Sequence, residues 1–146
     1  MIYTMQTKKA MRIAFQAHKD QVDKSGMPYI FHPYHLAEQM TDEITTCVAL
    51  LHDVAEDTDI TFDELLELGI SETVINSLRI LTHIKDVPYP QYIRSIKDSG
   101  DEAAIVVKLA DLKHNSDLSR FELIDDKAIA SSGRYIDAIN QLKGSG

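Results

Sequence analysis

Apolar residues recur along most of this chain at spacings of three and four, and convincing period-two alternation is absent, so the pattern predicts helices. Over residues 4–22, Met11, Ile13, Ala14, Ala17 and His18 fall on one side with charges elsewhere, giving a first helix. The run Lys24-Ser25-Gly26-Met27-Pro28 ends it, because Gly and Pro favour turns. His32-Pro33 opens a second helix reaching about residue 40, proline being favoured at a first helical position. A third is expected over about 42–55, with Ile44, Cys47, Val48 and Leu51 buried. Thr61 and Glu64 have the spacing of a capping box, and Gly69 ends the helix they start. Ser71 begins a fifth, carrying Ile75, Leu78 and Leu81. After Pro88 and Pro90 come a helix over 91–97, another from 101 or 102 to about 119, and a last from about 129 or 134 to 142. The expectation is an all-α fold, one domain over residues 1–146, with the 143–146 tail disordered.

Composition narrows the partners. At 146 residues, 44% hydrophobic and 26% charged, the chain has the size and make-up of one globular domain. No apolar stretch approaches the roughly 20 residues a spanning helix needs, so no membrane role is expected. The net charge of −8, without a strongly basic cluster, argues against duplex nucleic acid. An acidic protein still accepts a phosphorylated small molecule where a metal and a few local cations reverse the sign. The one cysteine, Cys47, lies in an apolar helical stretch and reads as core packing rather than as a nucleophile. A chain with no internal disulfide and no leader-like opening is expected in the cytoplasm.

The chemistry concentrates in Leu50-Leu51-His52-Asp53-Val54-Ala55-Glu56-Asp57-Thr58. Helical spacing leans His52, Asp53, Glu56 and Asp57 toward one side, directly after a stretch that must be buried. Buried carboxylates are costly unless a cation neutralises them. Alone, the segment also reads as a helix end with solvated acids. Two further segments shift the balance: Asp111 ends the apolar run 106–110, and His32 sits between Phe31 and Pro33 at a helix start. Together they supply two imidazoles and two carboxylates, a mixed N/O set suited to a divalent transition metal.

In that order, His…His-Asp…Asp resembles the HD-domain metal-dependent phosphohydrolase superfamily. More closely, the segments 24–33, 52–58 and Lys108-Leu109-Ala110-Asp111-Leu112-Lys113-His114-Asn115 resemble the alarmone, or (p)ppGpp, hydrolase domain of Rel/Spo-type proteins and small stand-alone hydrolases. The likeness runs over about residues 5–142. It implies a compact helical bundle in which His32, His52, Asp53 and Asp111 bind a metal, typically Mn²⁺. It also implies that Glu56 and Asp57 orient or activate water, and that Lys24, Ser25 and Asn115 contact nucleotide.

The reaction so implied is 3′-pyrophosphohydrolysis of guanosine 3′,5′-bis(diphosphate), a stringent-response alarmone. Hydrolysis of another nucleotide or nucleoside phosphate, or non-catalytic nucleotide sensing, stands as the alternative, and a homo-oligomer is left open. The chain departs from the family pattern where an arginine commonly precedes the Lys-Ser-Gly loop, that place being held by Asp23. Leu112 and Leu118 likewise replace a basic and a small hydroxyl residue. The remaining histidines, His18, His35, His83 and His114, are expected to pack or support rather than ligate. Arg79 and Arg94 are expected in surface ion pairs, and Tyr89 and Tyr92 either line a pocket or pack a turn.

Overall fold

Side-chain caps set most of the helix starts in the computed structural model, which describes residues 1–144. Thr4 accepts from the Thr7 amide ahead of α1 (Met5–His18), and Asp42 from Thr45 ahead of α3 (Glu43–Leu51). Thr61 and Glu64 form the expected capping box before α5 (Phe62–Glu67), and Ser71 caps α6 (Glu72–Leu81). Asp101 caps α8 (Glu102–Ser116) and Asp125 caps α9 (Asp126–Lys143). Such a cap contributes about 0.5–2 kcal/mol by satisfying an amide the helix itself leaves open. The helices without a side-chain cap are α2 (Phe31–Glu38), α4 (Val54–Asp57) and α7 (Tyr89–Ser99). A 3₁₀ turn, Leu118–Arg120, links α8 toward α9.

Helix α3 is the axis of the molecule. Helices α1, α2, α6 and α8 pack around it, while α9 lies along α8 and α7. Every residue from Thr45 to Leu51 is buried, as befits a helix surrounded by others rather than laid on a surface. A single apolar face was expected there, and Ile44, placed on it, is instead exposed at the rim. Cys47 is fully buried, and burial, aided by Glu43, pushes its thiol pKa up to about 12, which suits packing and not nucleophilic attack.

Several predicted boundaries move. The first helix stops at His18, not 22, because the chain turns into a loop tied by Tyr29 N to Gln21 O (2.9 Å) and Asp23 N to Met27 O (2.8 Å). One isolated antiparallel bridge, Val22 to Pro28, closes that loop, and no strand occurs among the described residues. Gly26 occupies the left-handed region at φ +80° in its turn, where a side chain would be strained. Helix α2 begins at Phe31, so Pro33 lies inside its first turn. The last helix starts at Asp126, earlier than expected, because Asp125 is its cap. Of the tail, Lys143 ends α9 and the Gly144 carbonyl accepts from Lys97 Nζ, while residues 145 and 146 lie outside the described residues. No described helix is long and apolar enough to cross a membrane.

The predicted 42–55 helix breaks at His52-Asp53. His52 is the last cap residue of α3, and Asp53 stands in the N-cap position of α4 with φ −102° and ψ −2°. Aspartate is among the best N-cap residues, yet Asp53 makes no capping bond. Its carboxylate faces the other way, into the site.

Candidate active site

His52 shows most plainly what the site is built for. The ring is 5% exposed, and its Nδ1 lies 2.7 Å from the Ala49 carbonyl, so Nδ1 carries the proton and Nε2 presents a lone pair. That Nε2 lies 3.0 Å from Asp53 Oδ2 and 3.6 Å from Asp111 Oδ1, with no hydrogen-bond partner. A lone pair held against carboxylate oxygens in a buried place is stable only with a proton or a cation between them. Burial alone lowers the His52 pKa, but Asp53 and Asp111 raise it well above its ordinary value, so without a metal a proton fills that role.

The other donors converge from separate elements. His32, on the first turn of α2 and 4% exposed, places Nε2 2.9 Å from Asp111 Oδ1. One ligand atom each from His32, His52 and Asp53 lies within 4.8 Å of the other two. Asp111, on α8, stands beside this triad rather than in it. Its Oδ1 accepts from Asn115 Nδ2 at 3.0 Å and its Oδ2 from Lys108 Nζ at 2.9 Å. Burial tends to raise the Asp111 pKa, but Lys108, His32 and His52 hold it well below the usual carboxylate range. Asp53 is likewise lowered, His52 overcoming its burial. The residues fit a divalent ion: two imidazole nitrogens and two carboxylates converge on one buried Nε2 that has no hydrogen-bond partner.

A layer of supporting residues orients these donors, and sequence reasoning passed over most of it. The Tyr29 hydroxyl donates to Asp53 Oδ2, which explains why that carboxylate leaves α4 uncapped. His114 Nδ1 lies 2.7 Å from His32 Nδ1, one proton being shared between them. Burial and Arg120 lower the His114 pKa to about 3, so it is neutral and accepts the proton that leaves His32 Nε2 free. Lys108 sits over the rings of Tyr92 (5.1 Å) and Tyr89 (5.9 Å) as it grips Asp111. These tyrosines therefore pack around a buried cation, Tyr92 also donating to the Leu81 carbonyl. The Lys108-to-Asp111 spacing of three and the Asp111-to-Asn115 spacing of four were the local signals available.

Glu56 and Asp57, on α4 one turn past Asp53, are more open. Glu56 Oε1 accepts from the His83 amide at 3.1 Å, and the Asp57 carbonyl from Gln21 Nε2 at 3.2 Å. Burial and the charge of Asp53 raise both carboxyl pKa values, the direction a proton acceptor near neutrality requires. Arg79, expected in a surface ion pair, lies over the Phe62 ring at 4.7 Å instead.

From His32 a cleft of about 330 Å³ opens between the α1–α2 loop and the segment after α8, lined by Lys24, Ser25, Tyr29, Asn115, Arg120 and Tyr135 among others. The three residues expected to contact nucleotide thus lie together, on different terms. Lys24 is exposed at the mouth. Ser25 Oγ donates to the Arg120 carbonyl at 3.1 Å and accepts from Glu122 N at 3.4 Å, clasping the two walls. Asn115 bridges Asp111 and Arg120.

No family model matches the chain. A zebrafish (Danio rerio) protein named guanosine-3′,5′-bis(diphosphate) 3′-pyrophosphohydrolase MESH1 is 35% identical over 124 residues, covering 77% of this chain and 68% of that protein. The chain belongs to that pyrophosphohydrolase family. A Borreliella burgdorferi protein of the same enzyme name is 35% identical over 122 residues, covering 73% of this chain. The chain spans only 18% of that protein, and 16% of the Spiroplasma citri relative, so these bacterial members extend far beyond the matched region. A solved structure described as a metazoan orthologue of SpoT that hydrolyzes ppGpp superposes with a TM-score of 0.77 at 23% identity. It covers all of this chain and 90% of that one, and so shows the same all-helical fold.

Proposed function

We propose that this chain is a Mn²⁺-dependent phosphohydrolase that acts on guanosine 3′,5′-bis(diphosphate), releasing pyrophosphate from the 3′ position. The observation that carries the reading is the continuity of the His32/His52/Asp53/Asp111 cluster with a cleft of nucleotide-recognising chemistry. The name of the zebrafish relative, which this chain matches over most of its length, supports the same substrate. Water is the second substrate: one 3′ phosphate ester bond breaks, guanosine 5′-diphosphate keeps the ribose oxygen, and pyrophosphate leaves with the water oxygen.

His32 Nε2, His52 Nε2, Asp53 and Asp111 would hold the ion, with Tyr29, His114, Lys108 and Asn115 fixing their orientations. When bound, a divalent ion supplies Lewis acidity toward a phosphoryl oxygen and acidifies water. The carboxylates suit a hard ion such as Mn²⁺, and the two imidazoles add the nitrogen donors that a first-row divalent metal accepts. Glu56 and Asp57, with carboxyl pKa values raised toward neutrality, orient the water and take its proton. Lys24 at the mouth meets phosphate charge, and Asn115 positions the sugar side of the ligand next to Asp111. Positioning and charge neutralisation dominate such phosphoryl chemistry, and no nucleophilic side chain is required. With its one cysteine unpaired and buried, the chain suits a reducing compartment, and we place the reaction in the cytoplasm.

The test is turnover of guanosine 3′,5′-bis(diphosphate) by metal-stripped protein with and without added Mn²⁺, beside Asp53→Ala. Release of pyrophosphate only with metal, and only by the unaltered chain, is expected. Binding without turnover would replace this reading with a sensor, and turnover of other nucleotides alone would replace the substrate.

A further inference from the structure

The two walls of the cleft face each other with one charged side chain apiece, each anchored by one atom and open at the other. Asp23 Oδ1 accepts from the amides of Ser25 (2.8 Å) and Met27 (3.0 Å), which holds the α1–α2 loop in shape. Its Oδ2 takes no hydrogen bond among the described residues. Opposite, Arg120 Nη1 donates to the His114 carbonyl (2.8 Å) and to Asn115 Oδ1 (3.3 Å), fixing the plane of the guanidinium. Its Nη2 stands 3.8 Å from Asp23 Oδ2, close enough for attraction and too far for a hydrogen bond. The two side chains are 23% and 26% exposed, and both line the cleft with Phe121 and Tyr135.

A rigid donor next to a rigid acceptor, neither satisfied, beside aromatic walls, is a template for a flat heterocycle with the complementary pair. We propose that Asp23 and Arg120 read a guanine base in this cleft. The base offers the acceptor O6 to Arg120 Nη2 and the adjacent donor N1–H, with the 2-amino group, to Asp23 Oδ2. Adenine reverses both: its 6-amino group meets the guanidinium donor, and its N1 lone pair meets the carboxylate. A polar site built for one hydrogen-bonding pattern rejects the other because its own groups are left unpaired. Arg120 belongs to the turn after α8 and Asp23 to the loop after α1, so the pair exists only in the folded chain.

This inference rests on the proposed nucleotide substrate and adds which residues select its base. Its experiment is equilibrium binding of guanosine and adenosine 3′,5′-bis(diphosphate) to the metal-stripped protein by calorimetry, so that nothing is consumed, with Mn²⁺-dependent turnover measured alongside. The unaltered chain is expected to bind the guanosine compound at least about tenfold more tightly, the scale of one good base contact. In Asp23→Asn the loop amides keep the carbonyl oxygen at the Oδ1 place, so an NH₂ donor replaces Oδ2 and the preference falls by about tenfold. Arg120→Gln, on the opposite wall, lowers it as well, and circular dichroism verifies that each variant is folded.

Equal affinity for the two purines, or a ratio unchanged in both folded variants, would overturn the proposal while leaving guanosine hydrolysis intact. Absence of both binding and turnover for either nucleotide in the unaltered chain would instead remove the substrate reading, and this one with it.

Discussion

The proposed metal end of the site and its proposed nucleotide end are built differently. At the metal end His32, His52 and Asp111 are buried and Asp53 is nearly so, and each is held by a neighbour: Tyr29 of the α1–α2 loop on Asp53, Ala49 on His52, His114 of α8 on His32, Lys108 and Asn115 on Asp111. At the nucleotide end the walls are a loop and a 3₁₀ turn, joined by Ser25 and by the loose Asp23–Arg120 pair, with Lys24 exposed. Ligand geometry tolerates little displacement, so the first region is locked from several directions. Recognition of an organic ligand needs entry, exit and unsatisfied polar atoms, so the second keeps both openness and open valences. Chemistry and specificity are therefore separable here, and substitutions should separate them.

The largest effect is expected at the metal donors. His52→Ala or Asp53→Ala should abolish Mn²⁺ binding and lower kcat by at least about 10²–10³-fold, the scale of losing a group that stabilises transition-state charge. Steady-state kinetics with metal analysis of the purified variants checks this. Loss of activity with stoichiometric metal retained would mean that the donors lie elsewhere.

Next come the residues behind the donors. Tyr29→Phe and His114→Ala should each reduce metal affinity or kcat by about 10–100-fold with little change in KM, the usual cost of an outer partner. Metal titration of each variant measures it. An effect confined to KM would assign them to the nucleotide end.

Lys108→Met sharpens the contrast in stability rather than rate. Without metal it strips the ammonium from Asp111 Oδ2 and leaves only His32, His52 and Asn115 on the Oδ1 side, a loss of about 1–3 kcal/mol, part of which a bound cation restores. Melting with and without Mn²⁺ should show a larger metal-induced rise in Tm for the variant than for the unaltered chain.

The smallest effect belongs to the cleft. Ser25→Ala removes one clasp across the walls and should raise KM by a few-fold, about 1 kcal/mol, with kcat preserved. Kinetics with saturating Mn²⁺ reads it, and a fall in kcat would mean that the two ends are mechanically coupled.

Much of the fold lay in short-range signals that need no tertiary context. The Thr61–Glu64 box and the Asp42, Ser71 and Asp101 caps sit within a turn of the amides they satisfy, and the elements they start follow closely. The helix break at His52-Asp53 left no such trace, because the pull on Asp53 comes from Tyr29, 24 residues away. Burial of α3 on all sides was illegible for the same reason: it depends on which helices surround it, and the apolar period of one helix does not record its neighbours.

In the site, the candidate metal donors stood out by residue type and order. Their supports were less legible: His114 was expected only to pack or support, and its partner His32 lies 82 residues away, while Arg120 meets Ser25 across 95. Arginine after a polar turn carries no local sign of such a meeting.

The central claim is that the orphaned lone pair of His52, with His32, Asp53 and Asp111, is a cation site and not a proton-bridged cluster. Calorimetric titration of the metal-stripped chain with Mn²⁺, repeated on His52→Ala, tests it most directly. One ion per chain, lost in the variant, is the predicted result. Absence of stoichiometric binding by the unaltered chain, or equal binding by the variant, would contradict it.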